Sequence, residues 1–235
     1  MKKSHIATLI VFLVLIPLTL ILGSRLSGRA FYVTSTLVIV ELLIPFFLAF
    51  EGRRPQAREL VVLAVMCALA VAGRVAIPIP SFKAIFGIIM IAGIAFGPES
   101  GFLVGAISAL ASNFFYSQGP YTPWQMMAYG AGGMLAGFVF AWGRLPRKPM
   151  IMGIFGFLAV TFFVGPLLDT CSVFLVMSRI TLKGAMAFYI SGFPVNLRQA
   201  VATTIVLLVL GKPLLEKLDR IKTKYGILDD GGKEA

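Results

Sequence analysis

The sequence predicts an all-α integral membrane protein with eight transmembrane helices and both termini in the cytoplasm. Apolar residues make up 58% of the 235 residues, charged residues only 13%, and the mean hydropathy is +0.92. A soluble domain carries roughly 25% charged residues, so this composition cannot cover a water-exposed surface. Long apolar runs alternate with short polar segments, and basic residues collect in every second segment, which is the pattern that fixes membrane topology.

Eight apolar runs are predicted to be helices, because about 20 helical residues cross the ~30 Å hydrocarbon layer. In chain order they are Ile6–Leu22, Phe31–Phe50, Ala57–Ile77, Ala84–Phe96, Glu99–Phe115, Pro123–Trp142, Met150–Ser178 and Gly184–Gly211. The first run is expected to stay uncleaved, since no small-x-small cleavage site follows Leu22. The fourth run is short and ends in a Gly-Pro break, so it forms with the fifth either two short spans or a re-entrant hairpin.

Basic residues are unequally shared between the two sides of the predicted bundle. The cytoplasmic connections would hold fourteen: Lys2, Lys3, Arg53, Arg54, Arg58, Arg144, Arg147, Lys148, Lys212, Lys217, Arg220, Lys222, Lys224 and Lys233. The opposite connections would hold five: Arg25, Arg29, Lys83, Arg179 and Lys183. This bias explains the net charge of +11 by topology, so we expect no nucleic-acid partner.

Four ionisable side chains lie inside the runs, where a charge is costly unless it faces the bundle interior. They are Glu41, Arg74, Asp169 and Arg198, and Glu41 has no evident partner in the sequence. Asp169 and Arg198 would differ in depth by roughly 9 Å. They form either an ion pair or, with the neighbouring Asn196 and Gln199, the lining of a cavity for a polar ligand. Arg74 either points into that cavity or extends to the outer interface.

The outer loop 113–126 is the strongest candidate for ligand contacts. It has no charge, two prolines and five aromatic residues among hydroxyl and amide groups, which suits a small-molecule pocket. The alternative is an aromatic belt at the membrane interface. The candidate contacts in this loop are Asn113, Gln118, Tyr121, Trp124 and Gln125.

Small residues recur every four positions in three segments, which permits close helix contact. The sets are Ala64/Ala68/Ala72, Gly97/Gly101/Gly105 and Gly133/Gly137. For the glycines we expect packing inside the bundle, and for the alanines a contact with a second polypeptide is equally open. Catalysis lacks candidate residues: the single histidine is His5, and there is no zinc-ligand spacing and no phosphate-binding Gly-Lys-Ser/Thr loop. Cys67 and Cys171 lie in apolar runs and are interpreted as small buried side chains. We expect no enzyme activity, cofactor or metal.

The order of these features resembles the substrate-binding S components of energy-coupling factor (ECF) vitamin transporters. The resemblance rests on the alanine stripe followed by Gly73-Arg74, the Ile77–Pro80 loop, the glycine-rich hairpin and the Gly119–Met126 stretch. It implies a six-helix substrate-binding membrane core over residues 53–212. Two extra helices in residues 1–52 would precede this core, and a charged cytoplasmic tail would follow in residues 213–235.

The resemblance implies a multi-pass protein of the prokaryotic plasma membrane that binds a water-soluble vitamin at its outer face. Its partners would be a transmembrane scaffold subunit and two ATPase subunits, with membrane lipid around it. Carried over by position, Ala64, Ala68 and Ala72 would meet the scaffold. The ligand contacts would be Arg74, Asn113, Gln118, Tyr121, Trp124, Gln125, Asp169, Asn196 and Arg198.

Within the family, the loop Thr122–Met126 is most similar to members assigned to cobalamin uptake, so cobalamin is the first expected substrate. Riboflavin, pantothenate and a queuosine precursor stay open. Two other functions also stay open. One is a free-standing secondary transporter that uses Asp169 and Arg198 as a proton relay, and the other is a membrane assembly subunit that transports nothing.

Overall fold

The computed structural model describes residues 14–15, 18–19, 30–52, 56–140, 143–177 and 179–226, and these ranges contain helices and no strand. The helices are α1 (Ala30–Gly52), α2 (Ala57–Val75), α3 (Ile85–Phe96), α4 (Pro98–Tyr116), α5 (Thr122–Phe140), α6 (Pro149–Ala159), α7 (Gly165–Val176), α8 (Leu182–Val209) and α9 (Gly211–Tyr225). A π-helical turn, Val160–Val164, joins α6 to α7. The predicted first span, Ile6–Leu22, lies almost entirely outside the described residues, as does Trp142.

Two helical rods are long and apolar enough to cross a membrane by length and composition. They are Pro149–Val176 and Leu182–Val209, each of 28 residues, or about 42 Å at 1.5 Å per residue. Large apolar side chains point outwards from them, for example Phe162 at 67% and Ile190 at 69% exposure. Such surfaces are costly in water and favourable in lipid. The helical bundle agrees with the predicted class, while eight crossings and cytoplasmic termini stay predictions.

Helix α3 forms the centre of the bundle, and all twelve of its residues are buried. Helices α2, α4, α5, α8 and α9 pack around it. At about 18 Å it is shorter than the ~30 Å hydrocarbon layer. Its carboxyl end is bound by two cations: Arg147 donates to the Ile94 carbonyl at 3.2 Å, and Lys222 Nζ donates to the Ala95 carbonyl at 2.7 Å. Both satisfy carbonyls that the helix leaves open and oppose its dipole.

The glycine rows bring α4 and α5 into backbone contact, with α3 beside them. A Cβ on Gly133 would collide with the Gly101 carbonyl, and one on Gly105 would collide with the backbone of Tyr129. Gly93 of α3 meets Gly133 at the same place. Gly101, Gly105, Gly133 and Gly137 therefore pack inside the bundle, as the sequence led us to expect, whereas a Cβ on Gly97 would meet nothing within 4 Å.

Helix α1 lies against α4, α5 and α7. Its Ile39 packs in a buried cluster with Trp124 and Cys171. Thr19, in the preceding segment, donates a hydrogen bond of 2.5 Å to the Glu41 carboxylate. Glu41, for which the sequence offered no partner, therefore accepts a hydrogen bond from a hydroxyl group.

In the C-terminal segment, helix α9 continues to Tyr225 and packs onto the bundle. Leu215 and Leu218 are 3% and 4% exposed, and Asp219 forms a salt bridge of 3.3 Å with Arg147. The other basic side chains of this amphipathic helix are exposed, namely Lys212, Lys217, Arg220 and Lys224, whereas Lys222 turns towards α3. Residues 227–235 are outside the described ranges.

We predict that Gly133→Ala lowers the thermal midpoint of the purified protein, because the methyl group meets backbone that cannot rotate away. Overpacking of this kind costs about 1–3 kcal/mol. Gly132→Ala is the matched control, since its Cβ would meet only the Val164 side chain, at 2.9 Å. Thermal unfolding in detergent measures both, and equal midpoints would contradict the close contact of α4 and α5.

Candidate functional site

A cavity of about 550 Å³ opens between α3, α5, the π-turn with α7, and α8. It lies at the end of the bundle where α3, α5 and α8 begin and α7 ends, opposite to the end that holds Arg147 and Lys222. Its wall contains Phe86, Tyr121, Gln125, Val160, Val164, Gly165, Leu168, Asp169, Cys171, Ser172, Leu175, Val176, Phe188, Ser191, Gly192, Val195, Asn196 and Gln199. Its volume is within the ~300–1,000 Å³ of small-molecule sites, and a few polar groups interrupt a mostly apolar lining.

The π-turn shapes one side of this cavity. Val160 and Val164, at its two ends, and Gly165, which follows it, all line the cavity. Pro166 comes next and has no N–H to donate to the preceding turn, which favours a local widening of the helix. Single π-turns inside α-helices occur frequently at functional sites.

Asp169 and Asn196 form the polar centre of the wall between α7 and α8. The Asn196 amide donates to Asp169 Oδ2 at 2.7 Å. Two glycines make room for this pair, since a Cβ on Gly192 would collide with the Asp169 carboxylate and one on Gly165 with the Asn196 amide. The carboxylate thus keeps its second oxygen as an acceptor at the cavity.

Gln125 forms the polar group on the opposite wall, and Asn113 holds it from behind. Asn113 is fully buried, and its Nδ2 donates to Gln125 Oε1 at 2.8 Å and to Thr122 Oγ1 at 3.1 Å. Thr122 in turn donates to Gln118 Oε1 at 2.9 Å. Tyr121 lines the cavity beside Gln125 and donates to the Ser117 carbonyl at 2.6 Å.

Arg74 anchors this polar group from α2. Its guanidinium donates to Asn113 Oδ1 at 2.9 Å and also to the Ser112 hydroxyl. It lies 4.9 Å from the ring centroid of Tyr116 and 5.6 Å from that of Tyr129, so two aromatic faces help to compensate its charge. The Arg74 side chain therefore points inwards among α4 and α5.

The structure places the nine predicted ligand contacts in four environments. Tyr121, Gln125, Asp169 and Asn196 line the cavity. Behind the Gln125 wall, Arg74, Asn113 and Gln118 belong to the hydrogen-bonded group that supports it. Trp124 stacks on Phe174 with ring centroids 5.4 Å apart, and Arg198 is exposed and donates to the Pro194 carbonyl of its own helix at 3.2 Å.

Gln199, which the sequence analysis placed with Asn196, lines the cavity, but several other cavity residues were not singled out from the sequence. Phe188 and Gly192 share a face of α8 with Asn196 and Gln199, at intervals of three or four residues. That helical period was visible around Asn196 and would have found them. Phe86 had no such signal, because its run is apolar on every side.

A second recess, the alanine groove, lies on another face of the bundle between α2 and α4. Its volume is about 620 Å³, and it is lined by Leu60, Leu63, Ala64, Cys67, Ala68, Val71, Ala72, Val75, Leu103, Ile107, Ala111 and Phe115. Every one of these side chains is apolar or a thiol. Ala64, Ala68 and Ala72 are exposed in this groove. The alanine stripe therefore faces outwards and does not pack against other helices of the bundle.

The described cysteines are both free and buried, Cys67 at the alanine groove and Cys171 at the cavity. Among the residues that the structure describes, no three His, Cys, Asp or Glu side chains come together as metal ligands would.

Comparison with known families gives a match over residues 55–216 to the model described as ECF-type riboflavin transporter, S component. This range begins just before α2 and ends within α9, so it contains both recesses. Comparisons with curated proteins and with solved structures found no match. Since the matched range covers well over half of the 235 residues, the chain belongs to the ECF-type riboflavin transporter S component family, a family of membrane transport subunits and not of enzymes.

Proposed function

We propose that this chain is the substrate-specificity subunit of an ECF-type importer and that it binds a flavin, with riboflavin as the first candidate, in the cavity beside Asp169 and Gln125. The supporting observation is a mostly apolar cavity of about 550 Å³ with separate polar groups on two walls, in a chain of this family. ECF S components bind a vitamin and work with a scaffold and ATPase modules, which here supply ATP hydrolysis. The chain would be a multi-pass protein of a prokaryotic plasma membrane.

The position of the charges supports an outward-facing cavity. The opposite end of the bundle holds Arg147, Lys222 and the basic side chains of α9, together with Arg58 next to Tyr225. Basic residues concentrate on the cytoplasmic side of membrane proteins. The cavity then opens on the outside, where a nutrient arrives.

The volume and lining favour a flavin over the larger cobalamin. A cavity of this size encloses a drug-sized ligand, and the flat three-ring system of riboflavin fits between apolar walls such as Phe86 and Leu168. Its ring carbonyls and imine nitrogens accept hydrogen bonds, as the amide wall at Gln125 requires. Its ring N–H and its hydroxyl chain donate hydrogen bonds, as the carboxylate of Asp169 requires. Cobalamin, a corrin with an attached nucleotide, would remain mostly outside.

The alanine groove is the proposed docking surface for the scaffold subunit. Small side chains allow a partner helix to approach closely, and packing is what drives helix association in lipid. The groove lies on α2 and α4, away from the cavity on α5, α7 and α8. One surface can therefore hold the partner while the other holds the ligand.

The proposed function is tested by titrating the purified protein with riboflavin and, separately, with cyanocobalamin. We expect quenching of flavin fluorescence and an affinity for riboflavin at least about tenfold higher than for cyanocobalamin, a difference of about 1.4 kcal/mol. Mass spectrometry of small molecules that co-purify with the protein provides an independent reading. Tighter binding of cyanocobalamin would restore the first expectation from the sequence.

Measurements of uptake and of ligand retention distinguish this role from the two other functions that the sequence left open. Uptake by this chain alone, abolished by an uncoupler and indifferent to ATPase partners, would indicate a secondary transporter. Absence of any retained or added small ligand would indicate an assembly subunit. Either result would contradict the proposed role.

We predict that Gly192→Ala weakens riboflavin binding about tenfold or more, because the new Cβ collides with the Asp169 carboxylate at the cavity wall. Gly184→Ala, near the start of the same helix, is the matched control, since its Cβ would meet the end of the flexible Met177 side chain. Fluorescence titration measures both dissociation constants. An unchanged constant for Gly192→Ala would remove Asp169 from the ligand site.

We predict that Ala68→Trp abolishes uptake in cells that also produce the scaffold and ATPase subunits, while riboflavin binding to the purified subunit stays within about twofold. The indole would fill the alanine groove and exclude a partner helix. Leu69→Trp is the control, because Leu69 is exposed on the same helix but does not line the groove. Equal uptake by the two variants, or lost riboflavin binding with normal complex assembly, would refute this interface.

A further inference from the structure

A continuous chain of hydrogen bonds runs from α2 to the ligand cavity. Arg74 donates to Asn113 Oδ1 at 2.9 Å, and Asn113 Nδ2 donates to Gln125 Oε1 at 2.8 Å. Gln125 lines the cavity, whereas Asn113 is fully buried and Arg74 belongs to the helix that carries the alanine stripe. Each link joins a different pair of helices, from α2 to α4 and from α4 to α5.

The direction of this chain is fixed by the chemistry of arginine. A guanidinium group only donates hydrogen bonds, so the Asn113 atom that faces Arg74 must be the amide oxygen. The guanidinium is also held in place by Ser112, whose hydroxyl accepts from Arg74 and donates to the Ala109 carbonyl at 3.1 Å. The orientation of an amide is often ambiguous, but here an obligate donor at one end removes the ambiguity.

The same reasoning passes to the next amide. Since Asn113 presents its NH₂ group to Gln125, the Gln125 atom that faces Asn113 must be its oxygen. The Gln125 NH₂ group is then left for the cavity. We propose that Arg74 and Asn113 are positioning residues that fix the Gln125 amide as a hydrogen-bond donor and thereby make the site specific for ligands with an acceptor at this wall. The inference rests on the proposed function, because it deepens the selectivity of the same site.

The two walls of the cavity then have opposite polarity. Gln125 donates from α5, while Asp169, already bonded by Asn196 at 2.7 Å, accepts from α7. A ligand must therefore carry an acceptor such as a ring carbonyl or imine nitrogen towards α5 and a hydroxyl or N–H group towards α7. A ligand that offers a donor to Gln125 would meet a second donor and lose a buried hydrogen bond.

The test reverses the polarity of the α5 wall by two different substitutions. In Asn113→Asp the new carboxylate still accepts from Arg74, but it forces the Gln125 amide to turn and present its oxygen to the cavity. In Gln125→Glu the bond from Asn113 is kept and a carboxylate oxygen faces the ligand. We expect each variant to bind riboflavin at least about tenfold more weakly than the wild type, with a thermal midpoint close to that of the wild type.

Two further variants separate polarity from a general structural effect. Adding Gln125→Lys to Asn113→Asp supplies a group that only donates, so it should recover at least part of the affinity. Gln56→Glu makes the same chemical change at the exposed residue before α2, away from the cavity, and should change the affinity by less than about twofold. Wild-type affinity in both Asn113→Asp and Gln125→Glu, or no recovery in the double variant, would overturn the proposal.

If riboflavin is not the substrate, the wild-type protein will not bind it, and this result differs from a failure of the positioning role. The chain of hydrogen bonds can still be tested in the ligand-free protein by a double-mutant cycle between Arg74→Met and Gln125→Leu. These residues are linked through Asn113, so their effects on the thermal midpoint should be less than additive. Strictly additive effects would show that no directed chain connects them.

Discussion

The close contact of α4 and α5 is the constraint on which the rest of the structure depends. Glycines at 101, 105 and 133 let the two backbones touch without intervening side chains. Only at this separation can the short side chain of Asn113 on α4 reach Gln125 on α5. The contact also confines α3, whose Gly93 meets the same point. Packing energy in lipid must come from such contacts, since burial of apolar surface provides little drive there.

Much of the fold could be predicted from the sequence because membrane helices are recognisable from composition alone. Apolar length gave the helices from α1 to α8, and four-residue spacing distinguished the glycine rows as packing surfaces. The chemistry of the segment 113–126 identified Tyr121 and Gln125, which line the cavity. These features are local, so a single segment contains all the information that they need.

Features that depend on the meeting of distant segments were less accessible. Asp169 was considered as a partner of Arg198, but Arg198 turns to its own helix and Asn196 bonds the carboxylate. Asn196 and Arg198 are two residues apart and therefore lie on nearly opposite sides of α8, and the sequence does not give the rotation of a helix. The sequence allowed the Arg74 side chain to point either into the bundle or to the outer interface. Only the positions of Asn113 and of two tyrosine rings decide between these directions. The π-turn between α6 and α7 also has no reliable sequence signal beyond Pro166.

Helix α9 has a consequence for how the protein can be cut or tagged. Lys222 of α9 and Arg147 bind the last carbonyls of the central helix α3. Asp219, which also lies on α9, forms a salt bridge with Arg147. A C-terminal truncation that stops at the boundary of the matched range would delete both Asp219 and Lys222 and leave a buried Ala95 oxygen without its donor. Affinity tags and fluorescent fusions therefore belong after Tyr225, so that the whole of α9 is kept.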